Sequence, residues 1–211
     1  MIRIIFIAII SLGFTNIAGA QKKHFGSGRK ILMFDGKTPK KFYFPVDESK
    51  RNSGITSFEN LWYSLKLEAM NEPVIYKHKS GVNSYRFTWL RSFHHPIAIR
   101  INKNNNVYSI YWKMSDNGKY EKLVTDKHKI ISKATWDLFE SKLKQLDYWK
   151  MGTNSNERSG MDGAQWILEG KKANTYHLIV RWSPESKSKY YQCCDYLIGL
   201  TDLKIPAREK Y

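Results

Sequence analysis

Residues 164–184, AQWILEGKKANTYHLIVRWSP, constrain the fold more than any other part of the chain. Two strand-forming runs, 164–169 and 176–183, flank a polar stretch over 170–175, so the segment predicts a β-hairpin. Gly160 and Gly163 bracket Met161-Asp162 just ahead of it, the composition of a tight turn that needs positive φ. A strand has a side-chain period of two, so the pairing register decides which residues share a face. Setting Trp166 opposite Val180 gathers Ala164, Trp166, Leu168, Leu178, Val180 and Trp182 on one apolar face. The other face then carries Gln165 opposite Arg181, Ile167 opposite Ile179, and Glu169 opposite His177. The neighbouring register mixes Gln165 and Glu169 among Leu178 and Val180, which buries polar groups without evident partners. The first register is therefore expected.

That polar face is the candidate site. Gln165, Arg181, His177 and Glu169 form a candidate binding set, with Asp162 at the strand entrance. A carboxylate beside an imidazole raises the histidine pKa and makes an acid/base pair, so Asp162, Glu169 and His177 are the catalytic candidates, with Arg181 to hold an anionic substrate. Ser159 and Ser183 lack a nucleophile elbow. A glycosidase needs two carboxyls across a cleft, whereas Asp162 and Glu169 would lie about 20 Å apart on an extended strand. The favoured reading is plainer: cross-strand pairs, each worth roughly 0.2–1 kcal/mol.

The first twenty residues read as a signal peptide. Arg3 precedes a short apolar run, and Ala18-Gly19-Ala20 offers a small-residue cleavage site before Gln21. No later stretch reaches about 18 apolar residues, so no transmembrane segment is expected in the mature chain. Export, to the periplasm or beyond, follows from this reading. Removing Arg3 from 35 Lys and Arg against 19 Asp and Glu leaves a mature net charge of +15. Nucleic acid is disfavoured as the partner, because the excess is lysine spread along the chain and bidentate phosphate or base recognition favours arginine. An anionic envelope polymer or an acidic protein partner suits an exported cation better.

Cys193 and Cys194 are adjacent and cannot staple distant segments, so no disulfide framework supports the fold. On a helix their side chains diverge by about 100°, and at least one is expected as a buried thiol. His94 and His95, as neighbours on an extended segment, point to opposite faces. With His24, His78, His128 and His177 scattered, no metal site is expected, and no cofactor motif is visible either.

Along the chain, residues 21–55 form a basic extension broken by glycine and proline. Within it Ile31-Leu32-Met33-Phe34 and Phe42-Tyr43-Phe44 could pair at a sheet edge or order only on contact. A capping box of Thr56 and Glu59 starts a first helix with Phe58, Leu61, Trp62, Leu65 and Ala69 as its apolar stripe, stopped by Pro73. Residues 74–76, 85–93, 97–102, 107–114 and 120–131 alternate as an antiparallel meander. Ser132 caps a second helix with Trp136, Phe139, Leu143 and Leu146 inward, and a third spans about 190–202 with Tyr190, Cys194, Leu197, Ile198 and Thr201 on one face. The expected fold is α+β: a single domain over 56–211 with one twisted antiparallel sheet built from hairpins and about three helices packed on one face.

The pattern Gly-x-Asp-Gly-x-x-Trp-x-Leu-Glu, here Gly160, Asp162, Gly163, Trp166, Leu168 and Glu169, followed by Arg181-Trp182-Ser183-Pro184, resembles a group of exported proteins common in Bacteroidetes. The resemblance runs from about Trp62 to the C-terminus, through SFHHPIAIRI, ISKATWDLFESKL and CDYLIGLTDLKI. It implies an envelope or secreted setting and no particular chemistry. Function is therefore expected to be that of an exported, non-enzymatic binding module, the alternative being a hydrolase with an Asp/Glu-His pair on the hairpin.

Overall fold

Alternation of large apolar and polar side chains produces four consecutive strands, β1 (Val82–Arg91), β2 (Ile97–Asn104), β3 (Val107–Ser115) and β4 (Leu123–Ile130). Before them stands helix α1 (Ser57–Ala69). After them come helix α2 (Lys133–Gln145), the hairpin β5 (Ala164–Lys172) and β6 (Thr175–Trp182), and helix α3 (Lys189–Gly199). The computed structural model describes residues 38–45, 54–79, 81–117, 121–154, 160 and 162–211. The segment Ile31-Leu32-Met33-Phe34 lies outside them.

The six strands form one open, twisted antiparallel sheet in the order β4-β3-β2-β1-β5-β6, and the fold is α+β. Strand β1 joins the two halves, pairing with β2 on one side and with β5 on the other. Its Tyr85, Phe87 and Trp89 point to one face and meet Trp166 and Leu168 of β5, Ile99 and Ile101 of β2, and the inward stripes of α2 and α3. Trp89 and Trp166 lie 5.0 Å apart at their centroids. Each such side chain contributes roughly 1.5–3 kcal/mol by leaving water. Trp136, Phe139 and Leu143 supply the α2 stripe as its spacing predicts. Tyr190, Cys194, Leu197 and Ile198 do so for α3, together with Cys193. Both thiols are free and buried; burial pushes the Cys193 pKa up to about 12 and raises that of Cys194 as well, which disfavours the thiolate.

The helices do not all share a face. Leu90, Ala98, Ile167, Leu178 and Val180 turn to the opposite side, where Tyr63 and Leu67 of α1 and Met70 at its C-cap cover them with Tyr43 and Phe44. A sheet apolar on both sides at β1, β5 and β6 needs a layer on each. The capping box at Thr56 forms as expected, with the Thr56 hydroxyl accepting from the Glu59 N–H and Glu59 accepting from the Thr56 N–H. The buried stripe of α1 is instead Asn60, Leu61, Tyr63, Ser64 and Leu67, and Phe58 is exposed. Asn60 and Ser64 turn inward because they serve the backbone of the 38–45 segment: Asn60 Nδ2 donates to Phe44 O, and Ser64 Oγ accepts from Tyr43 N. Residues 74–76 do not form a strand; Ile75–Lys77 is a 3-10 turn.

Candidate functional site

Pairing of β5 with β6 corrects the expected register by one residue. Trp166 stands opposite Arg181, Ile167 opposite Val180, Glu169 opposite Leu178, and Gly170 opposite His177. The cause is the turn. Both strands run on through residues 170–172 to the closing pair Lys172–Thr175, leaving Ala173 and Asn174 as a two-residue loop with Ala173 at φ 50°. Trp166 and Leu168 thus face α2 and α3, while Leu178 and Val180 face α1. The candidate set divides the same way. Gln165 and Glu169 project toward α1, and His177 and Arg181 project from the other side.

Glu169 is wholly buried and finds on β1 the cationic partner its own hairpin does not supply, Arg86, its direct cross-strand neighbour. Arg86 Nε donates to Glu169 Oε1 at 2.8 Å, Nη2 donates to the same oxygen, and Tyr176 OH donates to Oε2 at 2.9 Å. A second carboxylate arrives from the end of α1. There Asn71 at φ 49° closes a Schellman turn, with Glu72 N–H bonded to Leu67 O and Asn71 N–H to Glu68 O. That turn delivers Glu72 onto the sheet. Its Oε2 accepts from Arg86 Nη1 at 3.3 Å and from Arg100 Nε at 3.0 Å, and Lys113 Nζ stands 3.8 Å from Oε1 while donating to Asn71 O.

Burial raises the Glu169 pKa against the opposing pull of Arg86. Burial likewise works to lower that of Arg86, but Glu169 and Glu72 more than offset it and hold the guanidinium charged. This is an interior network that ties β1, β2, β3, β5 and β6 to the end of α1; within it Glu72 Oε1 is buried without a hydrogen-bond partner, its nearest cation being Lys113. Its members were missed because each belongs to a different segment. The available signal was the alternation itself: Arg86 and Arg100 occupy the positions between inward aromatic and aliphatic residues on two adjacent strands.

On the opposite face His177 Nε2 donates to Met151 O at 2.8 Å, and its ring packs edge-on against Tyr148 at 5.1 Å. Burial holds its pKa below the usual 6.5, the reverse of what a carboxylate neighbour would do. Arg181 donates to Gly152 O, Thr153 O and Val180 O. His177 and Arg181 together hold residues 151–154 along the outer edge of β6, where Val180 N–H bonds to Thr153 O at 2.7 Å and Asn154 pairs with Val180. Gln165 is buried, and its Oε1 has no partner in the structure. Asp162 is exposed near the far end of β5 from His177, on the order of 25 Å along the strand.

Two clefts open beside these networks. One of about 310 Å³ is lined by Lys40, Lys41, Tyr43, Glu68, Asn71 and Glu72. The other, of about 460 Å³, lies along α2 with Glu140, Tyr148, Trp149 and Lys172 in its wall. Neither is lined by Glu169 or His177. Among the described residues no group of three potential metal ligands converges, and no helix is long and apolar enough to cross a membrane. Neither a protein-family model nor a curated protein matches the chain.

Proposed function

We propose that this chain is an exported, non-enzymatic binding module that contacts an acidic protein partner through its lysine-rich surface, with an anionic envelope polymer as the related possibility. The supporting observation is where the charges go. Several carboxylates are drawn inward or into local pairs: Glu72 and Glu169 in the interior, Asp126, Asp137, Asp195, Asp202 and Glu140 each beside a lysine. Lys77, Lys79, Lys122, Lys129, Lys144 and Lys204 are exposed, with no carboxylate at ion-pair distance among the described residues. These exposed lysines present positive charge to solvent, where it steers an anionic partner and carries no burden of fold. The leader-like first twenty residues and the resemblance to exported proteins support export.

The hydrolase alternative required a carboxylate beside His177. Glu169 and His177 project from opposite faces of the sheet and Asp162 lies near the other end of β5, so no observation favours that reading. The test is a pull-down from the native envelope at two salt concentrations. Bound material should be acidic and should be lost between about 0.1 M and about 1 M salt, as the screening length falls from about 10 Å to about 3 Å. Retention indifferent to salt would refute a charge-led contact.

A further inference from the structure

The two outer strands of the sheet are treated differently. Strand β6 is covered along its edge by residues 153–154. Strand β4 is exposed over most of its length, and among the described residues nothing pairs with its outer side. Ile131 N–H bonds to Tyr108 O, which makes Tyr108–Ile131 a hydrogen-bonded pair of the ladder. Hydrogen-bonded and non-bonded pairs alternate in an antiparallel ladder, so Lys129, Lys127 and Thr125 bond inward to β3. The main-chain N–H and C=O groups of Asp126, His128 and Ile130 face outward. Ile130 and Val124 also expose 68% and 52% of their surface there, apolar area that a free edge has no reason to show.

We propose that β4 takes an added strand: an extended, acidic segment of a partner protein. This rests on the binding-module reading and locates its contact. Side chains on an added strand lie beside those of β4, so residues facing Lys129, and Lys127 whose Nζ also reaches Asp202 Oδ2 at 2.6 Å, would be Asp or Glu at alternate positions, with apolar residues between them beside Ile130. Lys122 and Lys133 extend the positive border at the two ends of the strand. A second copy of this chain fits badly. Twofold pairing through the outward groups sets Lys127 opposite Lys129, Lys127 opposite Lys127, or Lys129 opposite Lys129. A shorter overlap sets Asp126 opposite Asp126, and like charges directly opposite are destabilising; setting Ile130 opposite Ile130 engages only the C-terminal end of β4. The lysines thus disfavour self-pairing over most of the strand and favour an acidic strand in its place.

The probe is a synthetic peptide alternating glutamate and valine, added to the whole exported chain, with amide exchange followed residue by residue. Exchange at Asp126, His128 and Ile130 should slow by about tenfold or more while the inward amides of Lys127 and Lys129 are unchanged. Methylating the peptide nitrogens on the side that faces β4 should abolish the effect, and methylating the alternate set should not. This comparison leaves the protein unaltered. The double substitution Lys127→Glu and Lys129→Glu should weaken binding by about tenfold or more. Protection elsewhere on the molecule, or equal binding by both methylated peptides, overturns the proposal. So does protection already present without peptide in dilute protein, which would mean the chain covers its own edge, or protection that grows with protein concentration alone, which would mean self-pairing. Salt-sensitive retention on polyglutamate without protection at β4 would sink the strand-addition proposal and leave the binding-module reading standing. Loss of both would sink both.

Discussion

Arg86 sits where a single side chain decides between two ways of using a carboxylate. Viewed within the hairpin alone, Glu169 needs a partner, and His177 is the nearest candidate in sequence. Viewed across β1 it already has one, 83 residues away. Long-range pairing of this kind is invisible to local pattern, and the one-residue shift that divides the polar set divides the expected apolar face too, with Trp166 and Leu168 on the side opposite Leu178, Val180 and Trp182. The price of breaking the pair is one-sided. Arg86→Met leaves Glu169 buried and unpaired and should cost about 3–5 kcal/mol of stability by urea unfolding. The double substitution Arg86→Met with Glu169→Leu should recover most of that loss, since it removes the stranded charge. Additive losses in the double variant would contradict the network as described.

At the scale of elements, legibility followed how much of each element's packing is apolar and local. Ser132 caps α2, and the inward stripe of that helix is all apolar, so its spacing specified both its start and its face. Helix α1 has the same clarity at its capping box but hides Asn60 and Ser64, whose burial is set by a segment sixteen or more residues upstream. In the β5–β6 hairpin, Gly170 looked like the start of the turn. It is instead mid-strand because the Tyr85 ring lies across it: a Cβ there would stand 2.4 Å from Tyr85 Cδ1. Gly170→Ala should therefore destabilise the fold by roughly 1–3 kcal/mol, the cost of overpacking, as read from its thermal or urea midpoint. A neutral substitution would indicate that residue 170 lies in a loop and that the strands end where the local pattern first suggested.

For the whole molecule, the open sheet and the distribution of charge go together. A sheet that covers β6 and, among the described residues, not β4 leaves one edge open, and the fold buries Glu72 and Glu169 and pairs several surface carboxylates with lysines while other lysines stay exposed. Composition alone anticipated the sign of that surface but could not say which strand would be left at the edge, because the sheet order depends on β1 pairing with β5 across the intervening α2. The most direct test of charge-led binding is the affinity of the intact chain for polyglutamate as a function of salt. Affinity should fall steeply as salt rises from about 0.1 M to about 1 M, because exposed charges are screened over that range. An affinity that stays level across it, or the absence of binding at the lower salt, would contradict the account.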